Sequence, residues 1–452
     1  MPAFMIQTLG CKLNQLESEA AADAFLKCGI SNDECKIEEG REPSFIVINT
    51  CTVTSKADQK ARRVIRKALR DYPGARVIVT GCYAQLNKDE ILKLETDGMQ
   101  RLLVIDKDKI IDFIRSLCAP HSASDIPHSS LAASHSKFQF NPEKFSQHTR
   151  SFLKIQDGCD KHCTYCRIRL ARGPGISLDK EEVLRRLRIL EETHAEAVLT
   201  GVNICQYKCS EIFNREPSPK GENEKELNLT GLLEYLLNGT EKIAIRLSSL
   251  APDSVDVKLC GILSHQRIQP HFHLSVQSCS DKILERMGRS YNAQTVEKAV
   301  SLLRGAKDDP FLACDIIAGF PGETEIEFRQ TLKTAEKLDF TWIHAFPYSK
   351  RQGTPAFSFS DTVHESDVTK RVQLLTSLAR QGRAAYVKRW LGKEVDVLIE
   401  EKAGICFGTS RNYLKTLVKC ESKKPQAGMI VRCKLEEEGD YKNYDVIARC
   451  FT

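Results

Sequence analysis

The apolar positions fall into three stretches of different rhythm. In the first, 1–118, short apolar runs alternate with a segment of helical period. FIVINT (Phe45–Thr50) and ARVIVTGC (Ala75–Cys82) read as buried strands. Between them Ala57, Ala61, Val64, Ile65, Ala68 and Leu69 fall on one helical face. A strand–helix–strand unit of this kind predicts a parallel sheet in an N-terminal α/β domain. In the second stretch, 149–378, AVLTGV, IAIRLSSL, HFHLSV, LACDIIAGF and WIHAFPYS read as strands, with helical segments such as KEEVLRRLRILEET between them. That alternation predicts a full or partial α/β barrel. In the third, 390–452, VDVLIE, GICFGT, LKTLVKC, MIVRCKL and NYDVIARC are short runs punctuated by Gly, Asn, Lys and Pro. They predict a small antiparallel β-barrel. No internal repeat is present.

Two segments break the rhythm. Residues 119–148 are rich in Ser, His, Ala and Pro and read as a linker, in which His121, His128 and His135 have nothing to fix them as metal ligands. Lys208 to Asn228 is polar and charged and reads as an exposed insertion loop. A chain of 452 residues suits two or three domains. It lacks an apolar run of about 18 residues, so no membrane helix and no membrane partner are expected. The N-terminus lacks a secretion pattern, which predicts a cytoplasmic location.

The net charge of +6 permits an RNA partner without demanding one. Local charge is more specific. Lys56 to Arg70 and Lys370 to Lys393 are strongly basic, and each is either a phosphate-binding stripe or a solvated helix face. The last stretch mixes Arg411, Tyr413, Lys415 and Lys419, a combination suited to single-stranded RNA. The 18 cysteines argue against a disulfide framework in a large cytosolic chain and for a metal or catalytic role for some of them.

One group stands out: Cys159, Cys163 and Cys166, spaced CxxxCxxC. Three thiolates leave a tetrahedral zinc one ligand short, with His162 as a poor fourth. A 4Fe–4S cluster held by three cysteines keeps one iron open. An open iron can chelate the amino and carboxylate groups of S-adenosylmethionine, and one electron then releases a 5′-deoxyadenosyl radical. The loop resembles the signature of the radical S-adenosylmethionine superfamily, whose members share a partial barrel. The resemblance implies S-adenosylmethionine contacts at Tyr165, at Gly201 and Asn203 of LTGVN, at Ser249, at Gln277 (with Ser275) of HLSVQS, at Arg289 of MGRSY, and at Asp315 and Gly319 of CDIIAGFPGE.

Cys11, Cys51 and Cys82 each sit beside a strand, and parallel strands can bring such loops to one sheet edge. By spacing alone they are equally three buried thiols. TLGCKLNQLESE, INTCTVT, TGCYAQ, the CxxxCxxC loop, MGRSY, DIIAGFPGET and FPYSKRQGTPA together resemble the methylthiotransferase family over essentially the whole chain. That resemblance implies an auxiliary 4Fe–4S cluster on Cys11, Cys51 and Cys82, and hence two clusters in all. It also implies a C-terminal, OB-like TRAM barrel for RNA, with Arg411, Tyr413 and Lys415 as contacts. The implied reaction replaces carbon–hydrogen by carbon–sulfur–methyl, with a sulfur source and an electron donor such as flavodoxin or ferredoxin. TLGCKLNQLESE and TGCYAQ most resemble the branch acting on N6-threonylcarbamoyladenosine beside the tRNA anticodon. The alternatives are isopentenyladenosine, a ribosomal-protein aspartate, or a non-enzymatic metal-containing RNA-binding protein. Arg167 and Arg169 depart from the apolar residues usual after the loop and are candidate contacts to phosphate or carboxylate. Cys205 and Cys209 and the remaining cysteines have no counterpart among the family's ligands.

Overall fold

The computed structural model describes residues 2–32, 42–117, 137–142, 145, 149–212, 224–402, 405–420 and 424–451. Most of the expected linker, with His121, His128 and His135, lies outside them. The first sheet contains β1 (Ala3–Thr8), β2 (Ser31–Asn32), β3 (Phe45–Thr50), β4 (Arg76–Gly81) and β5 (Leu102–Val104). Their order is β2-β1-β3-β4-β5, all parallel. The helix Ser55–Asp71 crosses from β3 to β4. Thr54 caps it by accepting from the Ala57 N–H at 3.1 Å, and Ala61, Ile65, Ala68 and Leu69 bury the apolar face read from the sequence. Because all strands point the same way, the turns after β1, β3 and β4 share one edge. Those turns carry Cys11, Cys51 and Cys82.

The middle of the chain holds β6 (Ser151–Lys154), β7 (Gln156–Asp157), β8 (Ile176–Ser177), β9 (Glu196–Thr200), β10 (Lys208–Ile212), β11 (Glu224–Asn228), β12 (Ala244–Leu247), β13 (His271–Gln277), β14 (Phe311–Ala318) and β15 (Trp342–Pro347). Parallel sheets β6-β9-β12 and β13-β14-β15 meet through the parallel bridges Ile245–Ile268 and Leu250–Leu274. Six parallel strands thus follow one another in chain order. No described strand pairs β15 with β6, so the arc is a partial barrel. Phe152 and Val198 pack with Leu16, Ala20 and Phe25, which joins the first sheet's layer to this arc. The expected insertion loop is instead rooted in an antiparallel pair, β10 with β11, because alternating residues from Lys208 and Asn228 inward can zip together.

The last unit is a closed barrel of β16 (Glu394–Lys402), β17 (Ile405–Ser410), β18 (Lys415–Lys419), β19 (Ile430–Glu438) and β20 (Val446–Cys450), in the order β16-β17-β18-β20-β19. One feature corrects the expectation of an antiparallel barrel: β18 and β20 pair parallel. A ring of five strands cannot alternate direction all the way round, so one parallel pair is unavoidable. The long helix Glu365–Trp390 leads into the barrel. Its basic residues are partly structural: Arg371 is buried against Glu323 at 2.9 Å, Arg383 pairs with Asp445 at 2.5 Å, and Arg389 with Asp309 at 3.2 Å. Among the described residues, no helix is long and apolar enough to cross a membrane.

Candidate functional site

The three N-terminal cysteine turns are tied to one another by side chains. Asn14, one turn into the helix after Cys11, donates to Asn49 Oδ1 at 2.8 Å, and Asn49 donates back to the Asn14 carbonyl at 2.9 Å. Thr50 Oγ1 donates to the Thr80 carbonyl at 2.5 Å and accepts from the Ala84 N–H at 3.2 Å. The Cys11 turn is thereby fixed to the Cys51 turn, and that one to the Cys82 turn. Two glycines allow the approach. Gly10 has φ +143°, and a Cβ there would lie 3.0 Å from the Cys51 Cβ. Gly81 has φ +93°, and its Cβ would lie 2.4 Å from the Thr50 carbonyl oxygen. Burial pushes the Cys51 thiol up to about 12, and neighbouring Cys11 and Cys82 add to the rise. Burial also raises Cys82, against the opposing pull of Arg172.

The second set lies beyond β6. The Cys159 N–H donates to the Gly173 carbonyl at 3.1 Å and the Cys166 N–H to the Cys163 carbonyl at 3.1 Å. Thr164 anchors the loop to the strand-end wall through the Met287 and Arg286 carbonyls, both at 2.9 Å. Burial pushes Cys166 up to about 12, with Cys163 and Cys159 adding to it. Arg289 Nη1 donates to Cys163 Sγ at 3.2 Å and Nη2 to the Ser275 carbonyl at 3.0 Å.

Both sets fit a 4Fe–4S core by the chemistry of their donors. Each offers three thiols, one of which is raised by its two neighbours, and each has one arginine hydrogen-bonded to a sulfur. Burial favours the protonated form of the Cys51, Cys82, Cys159 and Cys166 thiols, and a cationic iron–sulfur core would displace those protons on binding. Among the described residues, no three His, Cys, Asp or Glu side chains form a cage for a single metal ion.

The expected S-adenosylmethionine residues line one end of the barrel. Gly201 and Asn203 follow β9, and the Asn203 N–H is held by Gln156 Oε1 at 2.8 Å. Ser249 follows β12, partly exposed. Gln277 ends β13 with φ +66°, a conformation that costs a non-glycine residue about 1 kcal/mol or more; the pairing with β14 shifts register between Leu274 and Gln277, which itself pairs with Ile316. Gly319 follows β14 at φ +76° and donates its N–H to Glu323 at 2.6 Å. Asp315 faces the lumen, with His273 Nε2 at 2.9 Å. Tyr165 meets Phe320 edge-on at 6.4 Å. On β13, β14 and β15 alternate residues remain partly open: His273, Ser275, Gln277, Asp315, Ile317, His344 and Phe346. They make this face of the arc mostly polar. Burial lowers the pKa of Lys12, next to Cys11, and Tyr413 partly offsets that; burial also lowers His344, with His273 next and Lys12 a lesser contributor.

The expected RNA contacts separate. Arg169 meets the His162 ring at the loop's surface. Arg167 lies near Arg351, Asp58 and Tyr83, and burial lowers its pKa first, with Arg351 next. Lys415 is exposed on the barrel. Tyr413 is a correction. Its ring stacks on His271 at 3.8 Å, beneath the guanidinium of Arg246 at 5.1 Å. Its faces are taken by the barrel–core junction, so it offers no platform to a base. Arg411 belongs to the same junction, donating to Gln269 at 3.2 Å and to the Gln266 carbonyl, although its side chain stays 41% exposed.

Sequence reasoning missed the residues that join the two cysteine sets. Arg351, 4% exposed, crosses from the loop after β15 to Thr52 at 2.7 Å and Asp58 at 2.6 Å, and Ser349 accepts from the Ser55 N–H at 2.9 Å. Arg172, 3% exposed, donates Nε to Cys82 Sγ at 3.2 Å and Nη1 to Glu17 at 2.9 Å and Asp157 at 3.3 Å. Burial opposes the Asp157 charge, yet Arg172, Lys154 and Lys107 hold that carboxyl well below the usual range. The available signal was a charged residue in an otherwise apolar LAR turn before Gly173.

Residues 3–101 match the Uncharacterized protein family UPF0004, and residues 153–335 match the Radical SAM superfamily. The chain is 37% identical to a threonylcarbamoyladenosine tRNA methylthiotransferase MtaB of Treponema pallidum (strain Nichols), over 97% of this chain and 99% of that one. It is 34% identical to an MtaB of Thermotoga maritima, over 92% and 91%. Among solved structures, the radical S-adenosylmethionine methyltransferase TsrM from Kitasatospora setae, with cobalamin and a [4Fe-4S] cluster bound, superposes with TM-score 0.50 at 13% identity. That superposition covers 79% of this chain and 77% of that one, a likeness of fold. With a radical S-adenosylmethionine core behind an N-terminal sheet of facing cysteine turns, and relatives alike from end to end, the chain belongs to the MtaB family of methylthiotransferases.

Proposed function

We propose that this protein is a tRNA methylthiotransferase that installs a methylthio group at carbon 2 of N6-threonylcarbamoyladenosine next to the anticodon. The observation that carries the reading is the meeting of two cysteine sets across one interface, joined by Arg172 and Arg351. Cys159, Cys163 and Cys166 would hold one 4Fe–4S cluster and Cys11, Cys51 and Cys82 a second. When bound, the first supplies an electron to S-adenosylmethionine, and so a 5′-deoxyadenosyl radical, and the second supplies sulfur.

The chain's own residues do the positioning. Arg289 holds Cys163 and the end of β13 together. Gly201, Asn203, Ser249, Gln277, Asp315, Gly319 and Tyr165 surround the S-adenosylmethionine position at the strand ends, where barrel active sites lie. The mostly polar lining and the half-buried Lys12 suit a base whose N6 group ends in a carboxylate. An isopentenyl group, which is apolar, would gain nothing from that lining. Arg167, Arg169, Lys415 and the exposed face of the helix Ser55–Asp71 supply cations for RNA phosphate. We assign residues 1–118 to the auxiliary-cluster domain, 149–378 to the radical core and 390–452 to a TRAM-type RNA-binding barrel. A cytoplasmic location, a flavodoxin- or ferredoxin-like donor and an external sulfur source complete the reading.

Nucleoside mass spectrometry of tRNA from cells lacking this protein tests it. The expected result is loss of 2-methylthio-N6-threonylcarbamoyladenosine with the isopentenyl product intact. Unchanged tRNA would reject the substrate.

A further inference from the structure

Arg172 reaches both sides of the machinery at once through its hydrogen bonds to Cys82 and Asp157. It ends the short helix Ile168–Arg172 that leaves Cys166. Asp157 lies just ahead of Cys159 on β7, and Glu17 lies on the helix that begins after Cys11. One planar guanidinium therefore touches the helix after Cys11, the Cys82 sulfur and the strand that feeds the radical loop. Its Nη2, buried, has no hydrogen-bond partner among the described residues, and neither has Glu17 Oε2. A buried donor left without an acceptor beside a cysteine ligand is one that an iron–sulfur cluster, anionic overall once its thiolates are counted, or its sulfur cargo would satisfy.

We propose that Arg172 is a positioning residue that couples the two cysteine sets. Its Nε–H···Sγ bond fixes Cys82 and holds positive charge against the second cluster, raising that cluster's reduction potential. Its ion pairs fix the radical loop at a set distance from it. Hydrogen bonds to the sulfurs of an iron–sulfur site raise its potential, and a buried one does so strongly. Lysine keeps the charge but cannot present a planar fork to three partners. The inference rests on Cys11, Cys51 and Cys82 being cluster ligands.

The test is a redox titration followed by electron paramagnetic resonance on the anaerobically reconstituted full chain, with iron counted per chain. In Arg172→Lys the expected result is a second cluster whose midpoint potential is more negative than in the wild type, with both clusters retained. Methylthio product should fall at least tenfold, and 5′-deoxyadenosine formation far less. Glu17→Gln removes a buried negative charge near Cys82 and leaves the Nε–H···Sγ bond, so its second-cluster potential should not become more negative than in the wild type. A wild-type potential in Arg172→Lys, or an equal negative shift in Glu17→Gln, would overturn the proposal by reducing Arg172 to an ordinary interface ion pair. Only about four irons per chain in the wild type would overturn the ligand reading, and the proposal with it, before any variant is compared.

Discussion

Cys159, Cys163 and Cys166 come from eight consecutive residues, whereas Cys11, Cys51 and Cys82 come from three strand ends gathered by a parallel sheet. The first set needs only a loop anchored at Thr164 and Arg289. The second needs the whole sheet, two glycines at positive φ and the Asn14–Asn49 and Thr50–Thr80 bonds. A local site tolerates change in the distant fold, while an assembled site is as robust as the weakest strand that contributes to it.

The largest expected effect comes from the local set. Replacing Cys159, Cys163 and Cys166 with Ala should halve the iron and abolish both 5′-deoxyadenosine and methylthio product, read by chromatography of the quenched reaction. Next is the contact that docks the two regions. Arg351→Met leaves Asp58 charged and buried, so unfolding stability should drop by about 3–5 kcal/mol, measured in urea. Methylthiolation should fall further than S-adenosylmethionine cleavage, since only transfer needs both sets. Gly81→Ala is a smaller change aimed at the assembled set alone. Left-handed backbone costs about 1–2 kcal/mol, and the Thr50 carbonyl must also shift. Iron bound at the N-terminal set should fall while the signal of the radical loop persists.

The smallest effect concerns the barrel–core junction, which holds none of the six cysteines. Burial holds His271 neutral, with its pKa well below the ordinary histidine value. The unfolded chain therefore takes up a proton that the folded one refuses as pH falls below about 6.5. Stability from this residue is intact above that pH and declines below it, by at most about 1.4 kcal/mol per pH unit. His271→Asn should flatten the slope of thermal midpoint against pH between 6.5 and 5.

The legibility of each region followed from the same contrast. The CxxxCxxC loop is visible in a string because its ligands are near in sequence. Strands β3, β4, β9 and β12–β20 were legible because their apolar runs are uniform or alternate. Cys11, Cys51 and Cys82 were a set in the sequence only through the family resemblance and the tendency of parallel strands to gather their turns at one edge, since no local pattern states that β1, β3 and β4 are neighbours. Arg172 and Arg351 were invisible for a further reason: a buried arginine has the same letter as a surface one, and their acidic partners are far away in the chain. Tyr413 misled because an aromatic among basic residues suits RNA stacking and a junction equally well. The parallel β18–β20 pair followed from ring closure, a property of the whole barrel.

The most direct test of the two-set account is to replace Cys11, Cys51 and Cys82 together with Ala and follow both products in one anaerobic reaction on tRNA carrying N6-threonylcarbamoyladenosine. The expected result is half the wild-type iron, continued 5′-deoxyadenosine and no methylthio nucleoside. Full iron, or methylthio product at the wild-type level, would contradict the claim that the assembled set supplies the sulfur.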